Sequence, residues 1–174
     1  MTTATIESRA VRARMDNPLQ MIPDSGKALF ALADSTDGRG LPDVTAQFVR
    51  LRASQLNGCT FCVNLHWREL KELGESDERI HAVSAWHEAP WFTSAERAAL
   101  ALTEAATRLS DRTDAVSDDI WAEAVSHYDP TALAALIVNI GLINAANRVF
   151  VAIRQPAISG MREHRAPRPS GGVR

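Results

Sequence analysis

The chain has two cysteines, Cys59 and Cys62, three positions apart, and His66 follows four positions after the second. On a helix, with about 100° between successive residues, these three side chains fall on one narrow stripe. Sulfurs at this spacing can form a disulfide, and an imidazole one turn further along can take a proton from the nearer sulfur, that of Cys62. The spacing therefore predicts thiol redox chemistry.

The cysteine pair directly follows Asn57-Gly58, two residues that tolerate the left-handed conformation found at helix C-termini. A helix that restarts at Cys59 carries both cysteines in its first turn, where unpaired N–H groups and the helix dipole stabilise an anion. Cys-X-X-Cys thiols in such places have a pKa lowered from about 8.5 to roughly 3.5–7.5. Because the thiolate is the nucleophilic form of cysteine, this position favours reactivity at neutral pH.

Two alternatives compete with redox chemistry for these cysteines. A buried free cysteine often serves only as a small apolar residue, but two at this spacing, with a histidine on the same face, argue against that role. A structural zinc site takes four ligands, commonly from two clusters, and the other histidines are scattered along the chain: His81, His87, His127 and His164. A site of Cys59, Cys62 and His66 would be an awkward chelate on one helix. We therefore expect neither a metal ion nor a cofactor.

The elements that must position this motif are helices. Helical periodicity extends over nearly the whole chain, and no run of alternating β-branched residues predicts a strand. Helices are expected at residues 5–14, 25–33, 42–55, 59–73 and 93–109, from 117 onward, and at 129–154. Thr93-Ser94-Ala95-Glu96 has the spacing of a capping box, and Asp129-Pro130 combines an N-cap with proline in the first turn. The sequence thus predicts an all-α fold.

The last of these helices is apolar nearly all round, which is typical of a helix buried inside the protein or between subunits. Three asparagines interrupt its apolar character: Asn139, Asn144 and Asn147. Buried amides need hydrogen-bond partners. We interpret these residues as contacts between helices or subunits rather than with substrate.

Length and composition indicate one soluble domain. The chain has 174 residues, 45% of them hydrophobic and 23% charged, as in an ordinary globular protein. We expect one helical domain at 1–155 and a mobile tail at 156–174, which is rich in Pro, Gly, Ser and Arg.

A net charge of −2 gives no reason to expect nucleic acid or an anionic membrane. The N-terminus lacks the apolar stretch of a signal peptide, and the apolar run at 133–143 is shorter than the roughly 20 residues that cross a bilayer. A cytoplasmic location is expected.

Three segments carry a family resemblance. LRASQLNGCTFC at 51–62, followed by His66, resembles the alkylhydroperoxidase D-like, carboxymuconolactone decarboxylase superfamily. APWFTSAERAALALTEA at 89–105 and INAANR at 143–148 are similar to the same superfamily. The resemblance covers about residues 41–155.

The resemblance implies a compact all-α fold that assembles into a homo-oligomer, as a dimer, trimer or hexamer. In peroxidase members the second cysteine, here Cys62, attacks the hydroperoxide and becomes a sulfenic acid, and the first, here Cys59, condenses with it to a disulfide. The histidine that matches His66 helps to deprotonate the nucleophile. Electrons return from a dithiol donor, which is a lipoylated or thioredoxin-like protein.

The sequence departs from the family pattern at two positions. The proton relay has a glutamate twelve residues before the first cysteine, and Gln47 stands there. Glutamine cannot act as a base at neutral pH, although it can hydrogen-bond and orient His66 or a water. Phe61 stands between the cysteines, where the best-known peroxidases carry a second histidine.

These observations predict a thiol-dependent peroxidase that reduces organic hydroperoxides through a Cys59–Cys62 disulfide, with activity weakened by Gln47. Three alternatives stay open: a redox sensor or disulfide-relay protein that consumes no peroxide, a metal-binding module, and an inactive oligomeric scaffold. Lactone decarboxylation is disfavoured, because the decarboxylases of the superfamily typically lack this cysteine pair.

Overall fold

The structure, a computed structural model, describes residues 12–111 and 113–157, and the elements in these ranges are helical. The helices are α1 (Pro18–Met21), α2 (Pro23–Asp34), α3 (Asp43–Leu56), α4 (Thr60–Glu72), α5 (Asp77–Ala82), a 3₁₀ turn (Val83–Ala85), α6 (Ser94–Thr107), α7 (Asp118–His127) and α8 (Pro130–Ala152). The predicted all-α fold is confirmed for the described residues.

The predicted helix starts rest on capping interactions that the structure contains. Thr93 and Glu96 form the capping box of α6, in which each side chain bonds the other residue's backbone N–H. Asp129 caps α8, since its Oδ1 accepts from the N–H groups of Thr131 and Ala132 at 2.8 and 2.9 Å. These bonds satisfy N–H groups that have no partner within the helix, so local sequence determines where these helices begin.

The structure contains three short elements that we did not expect: α1, α5 and the 3₁₀ turn. They have only three to six residues, too few for an apolar period to distinguish them from loops. The helix expected at 5–14 lies largely outside the described residues. Its described part is not helical, because Arg14 instead donates its N–H to Ile153 O at 2.8 Å and its guanidinium to Ala152 O at 2.9 Å. The expected tail beyond residue 157 also lies outside the described residues.

Helix α3 lies at the centre of the domain and packs against α4, α6 and α8. An apolar cluster between α3, α6, α7 and α8 includes Val49, Leu102 and Leu136. A second cluster surrounds Phe48 and Leu100. The third is different in kind, because it contains both cysteines. The motif therefore lies in the core and not in a surface loop.

Helix α8 is buried on one side only. Its outward stripe consists of Ala134, Ile137, Gly141 and Ala145, which are exposed in the single chain. Among the described residues α8 alone has the length and apolar composition that could span a membrane. Core helices of soluble proteins have the same length and composition. The expectation that the whole helix is covered is thus fulfilled within the chain only for the side that faces α3.

Candidate active site

The connection between α3 and α4 is a tight turn that places Cys59. Gly58 adopts φ +66°, its N–H bonds Gln55 O at 3.2 Å, and the N–H of Cys59 bonds Ser54 O at 3.0 Å. This pair of bonds is the Schellman motif, in which a glycine in the left-handed region closes a helix. The predicted stop at Asn57-Gly58 is confirmed, and its consequence is that Cys59 is held by the last turn of α3.

Cys59 is also the N-cap of the next helix. Its Sγ accepts a hydrogen bond from the N–H of Cys62 at 3.3 Å, so the sulfur takes the role that a serine or aspartate oxygen has in most N-caps. Helix α4 therefore begins at Thr60 and not at Cys59 as expected. The sulfur of Cys59 lies where the helix dipole and the N–H of Cys62 favour negative charge.

Cys59 and Cys62 form a disulfide, with their Cα atoms 5.3 Å apart. Both residues are only 1% exposed, and they pack with Ala53, Ile143 and other apolar side chains of the third cluster. Phe61, between the cysteines, packs against Phe150 of α8 with ring centroids 4.8 Å apart and ring planes tilted by 53°. The residue that replaces the second histidine is therefore a packing residue.

His66 and Gln47 meet inside the protein, with Nδ1 and Oε1 2.9 Å apart. Because a carbonyl oxygen only accepts, Nδ1 carries the proton and Nε2 keeps its lone pair. The structure thus brings together the four residues singled out in the sequence: a disulfide at the start of α4, His66 one turn later, and Gln47 on α3. Within the described residues no hydrogen bond joins His66 to either sulfur of the disulfide.

The environment of His66 opposes its protonation. Burial, followed by the positive charge of Arg50, lowers the pKa of His66 from its ordinary 6.5 to about 3. Arg50 is itself buried and donates from Nε to Asn139 Oδ1 at 2.8 Å. Gln47 hydrogen-bonds the imidazole but contributes no negative charge that would offset these effects. His66 is therefore neutral at pH 7.

The structure adds site residues that sequence reasoning missed. Asn57 bonds both Asn144 and Asn147 of α8, and Ser54 accepts from Asn147. The sequence identified the two α8 asparagines as amides in need of partners, and the structure supplies those partners within the chain. The local sequence around Asn57 predicts only a helix stop, because nothing local indicates a contact with residues about 90 positions away.

The described residues contain no group of three or more His, Cys, Asp or Glu side chains that could hold a metal ion. Each cysteine sulfur is bonded to the other. The chemistry that this arrangement can carry out with its own groups is the gain and loss of two electrons by the disulfide.

The chain matches one family model and a protein of similar length. The sequence model of the Carboxymuconolactone decarboxylase family matches residues 23–105. The uncharacterised protein YdfG of Bacillus subtilis is 29% identical over 140 residues, which are 80% of this chain and 94% of that protein.

Two solved structures have similar folds. A protein of unknown function from Agrobacterium tumefaciens, whose name links it to AhpD-type antioxidant defence, has a TM-score of 0.79 and 31% identity over 85% of this chain and 99% of its own. The debrominase Bmp8, solved with 2,3,4-tribromopyrrole, has a TM-score of 0.69 and 17% identity over 81% of this chain and 74% of its own. The second likeness concerns the fold alone, whereas the first extends to sequence over nearly the whole relative. The chain therefore belongs to the alkylhydroperoxidase D-like, carboxymuconolactone decarboxylase superfamily.

Proposed function

We propose that this chain is a thiol-dependent peroxidase that reduces organic hydroperoxides through its Cys59–Cys62 pair. The observation that carries the proposal is the disulfide at the N-terminus of α4, with Cys59 Sγ accepting the N–H of Cys62. This geometry stabilises the thiolate of Cys59, the resolving thiol of the cycle proposed below, once the disulfide is reduced. Family membership supports an enzymatic role for it.

In the oxidative half of the cycle, the Cys62 thiolate attacks the hydroperoxide, so that an S–O bond forms and the O–O bond breaks. The departing alkoxide takes up a proton as an alcohol, and Cys62 becomes a sulfenic acid. The Cys59 sulfur then attacks Cys62 Sγ, which forms the S–S bond and releases hydroxide, protonated to water. One hydroperoxide and two thiols give one alcohol, one water and one disulfide.

His66 is the base that receives the thiol proton through Nε2, and Gln47 orients the ring through Nδ1. A base whose conjugate acid has a pKa of about 3 is a weak one, because proton transfer from a thiol to it is strongly uphill. We therefore expect slow peroxide turnover relative to a protein with a carboxylate at position 47.

In the reductive half, a dithiol donor, which we propose to be a lipoylated or thioredoxin-like protein, gives two electrons and two protons to the disulfide and becomes a disulfide itself. Both sulfurs are covered in the oxidised protein, so a donor reaches them only after the cover shifts. Leu29 of α2 packs against the apolar cluster that contains the two sulfurs. A cytoplasmic location and a homo-oligomeric assembly remain part of this proposal.

A titration of thiols with peroxide tests the function. The protein is fully reduced, cumene hydroperoxide is added in small steps, and free thiols are counted after each addition. We expect both thiols to disappear at about one equivalent of peroxide per chain. The Cys62→Ser variant should keep its remaining thiol under the same additions. Consumption of peroxide by that variant would overturn the assignment of the nucleophile, and thiols that survive a clear excess in the unaltered protein would overturn the peroxidase.

A disulfide-relay protein is the second candidate, and the neutral His66–Gln47 pair favours it. Exchange between thiols and disulfides leaves a thiolate and not an alkoxide, so it depends less on a proton relay. Rapid exchange with dithiol partners, together with thiols that survive cumene hydroperoxide, would support the relay over the peroxidase.

A further inference from the structure

A buried network of side-chain amides joins α8 to the turn that carries Cys59. The Nδ2 group of Asn57 donates to Asn144 Oδ1 at 3.0 Å and to Asn147 Oδ1 at 2.9 Å. Asn57 is the last residue of the turn before Gly58 and Cys59, so both donor hydrogens of its amide hold this turn to α8. We call these three asparagines the amide clamp.

One arm of the clamp reaches Cys59 through Ser54. Asn147 Nδ2 donates to Ser54 Oγ at 3.1 Å, and Ser54 Oγ donates to the carbonyl of Arg50 at 2.7 Å. The carbonyl of the same Ser54 accepts the N–H of Cys59 at 3.0 Å. Ser54 therefore links α8 directly to the backbone of the first cysteine.

The other arm is fixed by its own partners. Asn144 Nδ2 donates to Thr107 Oγ1 at 3.0 Å and to Ile140 O at 2.9 Å. Its Oδ1 accepts from Arg148 at 3.1 Å in addition to Asn57. The amide of Asn144 is thus held in one orientation before it meets the redox turn.

Burying this polar network costs free energy unless each of its amides and hydroxyls finds a hydrogen-bond partner. Ser54 and Asn147 are completely buried, and burying amides and hydroxyls without partners is unfavourable. Apolar side chains could join the same helices without that requirement, as they do elsewhere along α8. A fully bonded polar network instead specifies one arrangement of the groups that it joins.

We propose that Asn57, Asn144 and Asn147 are positioning residues that keep Cys59 at the N-cap of α4 in both redox states and thereby set the reduction potential of the cysteine pair. The inference rests on the redox cycle proposed above. On reduction, two electrons and two protons convert the disulfide into two thiols, and no covalent bond then holds the sulfurs together. The clamp keeps the turn in place, so that the disulfide reforms with a high effective concentration.

Loosening the clamp has two expected consequences. The disulfide becomes easier to reduce, because the two thiols spend less time within bonding distance. The pKa of the Cys59 thiol rises, because Cys59 Sγ no longer stays at the N–H of Cys62. A contact that served stability alone would change neither quantity.

The experiment compares redox equilibria in dithiothreitol buffers, at a pH below the thiol pKa values, for the unaltered protein and Asn57→Ala. We expect an about tenfold shift toward the dithiol, equivalent to a potential about 30 mV less negative. Thiolate absorbance against pH should show the higher pKa in the same variant. Asn144→Ala removes one of the two bonds of Asn57 and should shift both quantities in the same direction by less, which keeps the test available if Asn57→Ala fails to fold.

Tyr128→Phe is the matched control, because it removes a bond of 2.7 Å from Tyr128 Oη to Ala95 O far from the redox turn. It should lower the melting temperature and leave the potential unchanged. The proposal is overturned if Asn57→Ala keeps the potential and thiol pKa of the unaltered protein, or if Tyr128→Phe shifts them equally. No peroxide enters these measurements, so a failed peroxidase and a failed clamp give different results.

Discussion

The two halves of α8 bury different chemistry against the same neighbour, α3. The N-terminal half contributes apolar side chains, among them Leu133, Leu136 and Ile140, to a cluster with α6 and α7. The C-terminal half adds the amides of Asn144 and Asn147, which bond the redox turn, to the apolar side chains that it packs around the cysteines. One end of the helix therefore packs in an apolar core, and the other end carries two residues of the amide clamp.

The difference shows how stability and geometry are divided in this domain. Apolar packing is non-directional and tolerates changes of shape at moderate cost, whereas amide pairs hold their partners at defined distances and angles. The amide clamp itself is uncharged, and the one charged side chain that donates to its asparagines is that of Arg148, within the described residues. The ion pairs Arg52–Glu104 and Arg79–Glu96 lie elsewhere on partly exposed side chains.

The largest expected effect concerns the buried polar groups, because His66 makes the free energy of unfolding depend on pH. Since the folded protein holds the pKa of His66 near 3 and the unfolded chain near 6.5, the unfolded chain binds a proton first as pH falls. Stability is complete above pH 6.5 and is lost progressively toward pH 3, by roughly 4 kcal/mol. Urea unfolding across this range should show that loss, and His66→Gln should flatten it. Equal pH dependence in both proteins would mean that His66 titrates normally.

The second prediction tests the apolar half. Leu136 is fully buried, so Leu136→Ala removes apolar contacts and leaves a cavity, which should reduce the free energy of unfolding by about 3 kcal/mol. The reduction potential of the cysteines should stay as in the unaltered protein, measured in the same dithiothreitol buffers. A large change in potential would contradict the division between the two halves.

The third prediction tests whether the absence of a negative charge beside His66 limits peroxide turnover. Gln47→Glu places a carboxylate beside His66 Nδ1, which raises the pKa of the imidazole and makes it a stronger base. Peroxide turnover should rise about 100-fold, the lower end of what a positioned acid–base group provides. Steady-state consumption of cumene hydroperoxide with dithiothreitol measures the change. No gain would show that the relay position does not limit the reaction.

The smallest expected effect concerns access to the sulfurs. Helix α2 packs on α1 and α8, begins without a side-chain cap, and packs Leu29 against the apolar cluster that contains the disulfide. Leu29→Ala should speed reduction of the disulfide by dithiothreitol about threefold, because thiol–disulfide exchange requires access to a sulfur. Phe30→Ala, an exposed neighbour on the same helix, is the control and should leave the rate unchanged. Equal rates in all three proteins would place the entry route elsewhere.

The sequence predicts which side chains share a face of one helix, and it does not predict contacts between distant helices. Cys59, Cys62 and His66 lie on one local stretch, so their common face follows from helical period. Gln47 was singled out only by family resemblance, and its bond to His66 depends on how α3 returns against α4. Their roles in catalysis stay predictions that the thiol titration tests.

By itself the sequence determined the class of secondary structure, the starts of α6, α7 and α8, and the turn that ends α3, because caps and left-handed glycines act over a few residues. Only the tertiary structure decided that Cys59 receives the N–H of Cys62 while Ser54 holds its backbone. The same is true of the low pKa of His66 and of the bonds from Asn57 to α8. Burial and amide pairing join residues that are 19 to 90 positions apart, and local sequence patterns carry no information on such separations.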